Sequence, residues 1–418
     1  MMLTSRLALA AILAAVAVTA PAVAAKKAEP AAAAATGGVD AKNISKPVRP
    51  LLQAAQKLEA AGDAAGALAQ LRTAEAAGNL NSTDVFFISQ MKLGLANKLK
   101  DNKVLEEAIK ASANSEFLPA TEKPKYIKNL AALALQRDDY NGATQYYEQL
   151  AVMTPNDADI FTNLAVLYSR QKQNPQAIAS LQKAINASKA AGKKPEEALY
   201  RTELKIAVDS KMAAQIQTAS TDLVTAYPNP VNWRDALLVY RDSIKSDDQT
   251  NLDIFRLMDS AAALNGERDY AEYVETAIGK GLPGEAKTVL AEGVQKGALS
   301  SSKPYIAEYN RSIATRIVAD KAGLAGVDRE ARAAATGKVA LGQGDAYFGY
   351  ADYAKAADMY RLALTKGGVD AATANLRLGA SLAKAGDKAG ATTALQLVKG
   401  SPREMLATYW LIWVGQKA

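Results

Sequence analysis

Side chains of matching size return along this chain at a fixed interval of 34 residues. Asn129-Leu130-Ala131 returns as Asn163-Leu164-Ala165, and Ala143 returns as Ala177. Ile127 maps onto Phe161, Tyr147 onto Leu181 and Leu150 onto Ala184 at the same offset. A period of that length requires stacked supersecondary units, each burying one face against the next, rather than one folded core. Ala131 and Ala143 are twelve residues apart, as are Ala165 and Ala177. That spacing puts a small side chain on each of two antiparallel helices where they cross. The backbones then approach closely, and larger side chains fill the gaps on either side. Alanine is abundant and favours helix. No run of alternating, β-branched residues marks a strand. The expected fold is all-α, an α-solenoid of stacked antiparallel helical hairpins.

The twelve-residue spacing returns at Ala55/Ala67, followed by Leu71 and Ala74. It returns at Gly344/Ala356, with Tyr347, Tyr360 and Ala363, and at Gly379/Ala391, with Leu395. Two turns are near copies: Ala61-Gly62-Asp63-Ala64-Ala65-Gly66-Ala67 and Ala385-Gly386-Asp387-Lys388-Ala389-Gly390-Ala391. These units resemble the tetratricopeptide repeat family. Phe161, Leu164, Ala165, Tyr168, Ala177, Leu181 and Ala184 follow that family's order of large, small and aromatic positions. Ile127, Leu130, Ala131, Ala143, Tyr147 and Pro155 follow it one unit earlier, with Asp139-Tyr140 and Pro155-Asn156 at the family's turns. The resemblance implies that the first helix of each pair lines a concave groove for a peptide or helix. By that resemblance the groove-facing residues are Lys128, Ala132, Gln136, Thr162, Val166, Ser169 and Arg170, with Asp345 and Phe348 in the later stack.

The N-terminus has the three parts of a secretory signal: Arg6, an apolar run from Leu7 to Val18, and Ala22-Val23-Ala24 at the cleavage spacing. The expected domains are a signal peptide over 1–24 and an Ala- and Pro-rich tether over 25–46. Repeats follow over 47–194, degenerate helical repeats over 195–335, and C-terminal repeats with a capping helix over 336–418. In the degenerate part, helical pairs are expected from Glu196 to Tyr227, Trp233 to Leu264 and Tyr270 to Leu299. Tyr227-Pro228-Asn229-Pro230 is a helix breaker, and Pro304 to Ala335 reads as longer Ala-rich helices. Tyr409, Trp410, Leu411, Ile412 and Trp413 cluster near the end, as a terminal cap or as an exposed aromatic anchor.

The chain holds no cysteine and no histidine. This excludes disulfides, thiolate metal sites, thiol nucleophiles and every triad built on imidazole. Gly279-Lys280-Gly281-Leu282-Pro283-Gly284 spells the dinucleotide-binding pattern, but it follows a helical stretch where that chemistry needs a strand. Ser-x-x-Lys at Ser180, Ser300 and Ser381 lacks the other elements a serine hydrolase needs. No catalytic residue, cofactor or metal is therefore expected. The formal charge is +7. With export, that excess fits acidic proteins or anionic surfaces better than nucleic acid. The expected protein is a non-enzymatic periplasmic scaffold that binds a protein or peptide of the envelope. It has no membrane span once the signal is removed. The alternative is a self-associating structural protein, a homo-oligomer held through the C-terminal aromatics.

Overall fold

The computed structural model describes residues 39–244 and 246–417. The signal peptide and most of the tether lie outside them. The described residues form two compact units, divided between Ile206 and Ala207. Among the described residues every regular element is helical.

The first unit begins with a 3-10 turn, Ala41–Asn43. Residues 39–46 were expected to belong to the tether, and here the structure corrects the boundary. The Ser45 amide donates to Asp84 at 2.9 Å, Asn81 donates to the Asn43 carbonyl at 3.0 Å, and Val48 is fully buried. Four hairpins follow: α1 (Arg49–Ala60) with α2 (Ala64–Ala76), α3 (Ser82–Leu99) with α4 (Asn102–Ala113), α5 (Lys123–Gln136) with α6 (Tyr140–Met153), and α7 (Ala158–Arg170) with α8 (Asn174–Ala190). Helix α9 (Glu197–Asp209) carries the boundary between the units. The crossing residues behave as their spacing requires. Ala55, Ala67, Ala131, Ala143 and Ala177 are fully buried, and Ala165 is nearly so. Ala96 and Ala108 repeat the twelve-residue spacing in α3 and α4, and both are buried.

Each near-copied turn has a local cause. Gly62, Asp138 and Gly386 adopt left-handed backbone and end the first helix. The next residue, Asp63, Asp139 or Asp387, caps the second helix by accepting from the amide of Gly66, Gly142 or Gly390. A Cβ on those three glycines would lie 2.1 to 2.3 Å from the capping carboxylate. In these three turns the glycine lets the carboxylate sit close over the first turn of the helix; elsewhere the same cap forms on Lys355, Val104 and Thr250. The alanine after each of the three glycines is the crossing residue of the second helix.

The second unit contains α10 (Ala213–Ala226), α11 (Pro230–Ser243), α12 (Asp248–Ser260), α13 (Gly266–Gly279), α14 (Pro283–Gln295), α15 (Pro304–Ala333), α16 (Lys338–Gly349), α17 (Tyr353–Lys366), α18 (Ala371–Ala385), α19 (Lys388–Gln396) and α20 (Glu404–Gln416). The breaker before Pro230 ends α10 at Ala226, and Asn229 caps α11. Val274 and Ala286, twelve residues apart and fully buried, give α13 and α14 the common crossing. Degeneracy lies elsewhere. The link from α11 to α12 is longer than the other intra-hairpin turns, and α15 is a single 30-residue helix without a hairpin partner. The last helix packs on α10, α18 and α19, so this unit closes on its own first helices. Tyr409 donates to Ser220 at 2.8 Å, and Trp413 donates to the Ser260 carbonyl at 3.0 Å.

Candidate functional site

The first helices of the first unit present the face expected to meet a partner. On α5 the buried residues are Tyr126, Ile127, Asn129, Leu130, Ala131, Leu133 and Ala134, while Lys128 and Gln136 are exposed. On α7 the core takes Ile160, Phe161, Leu164, Ala165 and Leu167. Thr162 and Val166 are half-buried, and Ser169 and Arg170 are exposed. Lys128 and Thr162 occupy equivalent positions one period apart, as do Gln136 and Arg170. Some of these groups are already engaged. Gln136 accepts from Asn102 at 3.3 Å, Thr162 donates to the Ala158 carbonyl, and Arg170 stacks 5.3 Å above the Tyr140 ring while donating to its hydroxyl. Among the described residues, the side chains of Lys128 and Ser169 make no hydrogen bond or ion pair, and Val166 is half-buried.

A second concavity, which the period did not indicate, lies among α6, α7 and α8. It encloses about 590 Å³ and is lined by Glu148, Val152, Phe161, Tyr168 and Lys183 among others. Tyr168 donates to Glu148 at 2.6 Å, and Lys183 lies 5.7 Å over the Phe161 ring. Burial and the neighbouring Glu148 carboxylate push the Tyr168 hydroxyl up to about 12, so it stays a donor. Val152 stands 83 % exposed at this rim. An apolar residue at a solvent position of a second helix was the sequence signal for it.

Asp345 and Phe348 require a correction. They were expected to face a groove, and the structure buries both. Asp345 accepts from Arg256 at 2.9 Å, from Arg377 at 2.7 Å and from Tyr360 at 2.7 Å. The Arg256 guanidinium lies 4.4 Å over the Phe348 ring and grips Glu285 through two bonds of 2.9 and 2.7 Å. Tyr273 donates to the same Glu285 at 2.7 Å. Arg377 and Arg403 both donate to Asp253, at 2.8 and 3.1 Å. Three arginines thus meet three carboxylates from α12, α14, α16, α18 and the link before α20. Burial raises the Asp345 carboxyl, but Arg377 and Arg256 outweigh it and hold the group below the usual carboxylate range. Burial and their carboxylate neighbours push the Tyr273 and Tyr360 hydroxyls far up. The group is saturated with partners and charge-balanced, which suits it to joining helices rather than to acid–base chemistry.

The C-terminal aromatics also require a correction as an exposed anchor. Trp410 is 1 % exposed and Trp413 is 8 % exposed, with their rings edge to face at 5.4 Å. Burial removes the contact on which self-association was expected to rest. The glycine-rich segment is an inter-helix turn: Gly281 is left-handed and Pro283 opens α14.

One acidic pair has a pH consequence. Asp259, at the end of α12, is pushed up to about 6 by burial and by Glu292, against the lowering effect of Lys384 at 3.9 Å. Its folded pKa lies above the unfolded value, so the folded state holds the proton more tightly. The associated stability is present below about pH 4 and is lost as pH rises through about 6. Asp259→Asn is therefore expected to raise stability by about 1–2 kcal/mol above pH ~7, by roughly half of that near pH ~5, and to leave it unchanged near pH ~3. Thermal melts of both proteins at the three pH values check this.

No family model matches the chain, and no curated protein matches it. Solved structures of helical-repeat proteins do. A structure of Naa15/Naa10 bound to HypK-THB is similar at 15 % identity, covering 84 % of this chain and 64 % of that one, with a TM-score of 0.26. The pentatricopeptide repeat protein PPR10 from maize is similar at 14 % identity, covering 88 % and 61 %, with a TM-score of 0.25. The apo quorum sensor NprR from B. thuringiensis is similar at 14 % identity, covering 76 % and 97 %, with a TM-score of 0.21. The chain spans less than two thirds of the length of the first two. The expected exclusion of nucleic acid rested on export, and the signal-like segment lies outside the described residues. Among the described residues no helix is long and apolar enough to cross a membrane. The fold is an α-solenoid architecture of antiparallel helical hairpins, like that of tetratricopeptide repeats.

Proposed function

We propose that this chain is a non-enzymatic scaffold that holds a protein or peptide partner on the first-helix face of its first unit. The observation that carries the reading is the row of positions on α5 and α7 that the core leaves unused: Lys128, Val166 and Ser169, flanked by Gln136, Thr162 and Arg170. Surface positions that recur one period apart on successive hairpins form an extended surface of the kind that repeat proteins use for binding. The signal-like N-terminus supports work in an exported compartment, a bacterial periplasm in the simplest case.

The test is crosslinking of the tagged protein in its own cells, with identification of what is captured. A recurring envelope protein is expected, and it should be lost from the Lys128→Glu, Arg170→Glu double variant. Both side chains are exposed and Arg170 gives up only its contact with Tyr140, so that variant should melt within about 1 kcal/mol of the parent. Capture that survives the double variant, recovery of the chain alone, or recovery of RNA would each overturn the reading. Fractionation and N-terminal sequencing test the export. The mature chain should begin just after Ala24 or Ala25.

A further inference from the structure

Helix α15 stands where the pattern of hairpins would place a pair. It buries only Ile306, Ile313 and Ala331 along its 30 residues. Near its N-terminal end Tyr305 and Tyr309 bond to Glu267 and Glu275 of α13 and its first turn. Near its C-terminal end Asp328 accepts from Gln343 and Tyr347 of α16. Between these ends Asp320 accepts from Tyr350 and the Leu324 carbonyl accepts from Gln343. There a cleft of about 580 Å³ opens among α14, α15 and the end of α16.

The cleft has an apolar floor and a basic rim. Ile317, Val318 and Ala322 supply the floor from α15, and Val318 is 76 % exposed. Tyr350 forms a wall. A Cβ on Gly284 would lie 2.6 Å from its ring, so the glycine lets the ring lie against α14, and its hydroxyl is fixed on Asp320 at 2.6 Å. Lys287 and Lys321 line the cleft from α14 and α15 respectively. Both are exposed, and neither has an ion-pair partner among the described residues.

We infer that this cleft is a second docking site, and that its occupant is an acidic peptide segment carrying an aliphatic or aromatic anchor. Charge complementarity selects the sign: two ammonium groups without an ion-pair partner among the described residues line the cleft, and Asp320 directs one oxygen to the Tyr350 hydroxyl. The floor selects the anchor, since a solvated valine beside an isoleucine and a tyrosine ring gains by excluding water under an apolar side chain. A phosphate backbone would instead need a denser row of cations and would ignore the floor. This inference is independent of the first-unit face.

The test is fluorescence anisotropy with the full chain and a short labelled peptide of alternating Glu and Leu. Binding is expected to weaken with added salt. Lys287→Glu with Lys321→Glu is expected to weaken it by about tenfold or more, and Val318→Ser by about threefold. A peptide with Gln in place of Glu should not bind, and the Lys128→Glu, Arg170→Glu variant should bind like the parent. No measurable binding, equal binding of the Gln peptide, or indifference to the lysine reversals would overturn the inference. So would competition by RNA or anionic vesicles together with binding unchanged in Val318→Ser, which would mark a phosphate surface. All three substituted residues are exposed, so circular dichroism should show unchanged helix content.

Discussion

Arg377→Ala is expected to lower the stability of the second unit by about 3–5 kcal/mol. Arg377 is 2 % exposed and joins Asp253 on α12 to Asp345 on α16, at 2.8 and 2.7 Å. Removing it leaves Arg403 as a partner for Asp253, and Arg256 and Tyr360 as partners for Asp345. Those remaining partners do not restore the charge balance, and two carboxylates stay buried around one missing cation. The uncompensated charge, more than the lost hydrogen bonds, sets the size of the effect. Arg377→Lys should recover only part of it, because an ammonium cannot reproduce the guanidinium's several directed bonds. Hydrogen exchange followed residue by residue is the suitable measurement. Protection should fall in α12, α16 and α18 and stay at the parental level in α1 to α6. Uniform loss across the chain, or none, would show that the ionic group does not join these helices.

Ala165→Arg is expected to cost several kcal/mol in the first unit, comparable to the arginine deletion. Ala165 is 3 % exposed at the crossing of α7 with α8, where Ala177 is fully buried. A longer side chain there must separate the two helices, and its charge finds no partner between them. Since repeat stability is largely nearest-neighbour, protection should fall in α7, α8 and adjoining α6. The later hairpins α16 to α19 should keep theirs. An unchanged melt would mean that this alanine is not the crossing residue. The two variants therefore act as opposite probes, each weakening its own unit.

Much of the hairpin architecture was legible because its rules are local. The crossing alanines recur at one spacing, and the Asp-x-x-Gly turns encode a cap and a left-handed residue within a few positions. The helix stop at Ala226 and the start at Pro304 follow from proline chemistry in the same way. Asp345 and Phe348 were misread for the opposite reason. Family position placed them on a groove, while their partners, Arg256 and Arg377, come from residues 89 and 32 positions away. No periodicity in the sequence carries such a pairing.

The sequence by itself determined the repeat period, the helical class, the hairpin crossings and the absence of imidazole and thiol chemistry, since each depends on residues a turn or a hairpin apart. Only the tertiary structure decided which faces became surface. In the second unit α20 returns to α10, so Tyr409 meets Ser220 across 189 residues and Trp410 and Trp413 are interior rather than an anchor. Closing that unit turns a face that an open stack would leave to solvent into a core. The charges on it are then stable only where arginine and carboxylate arrive together, and that meeting is a property of the assembled helices.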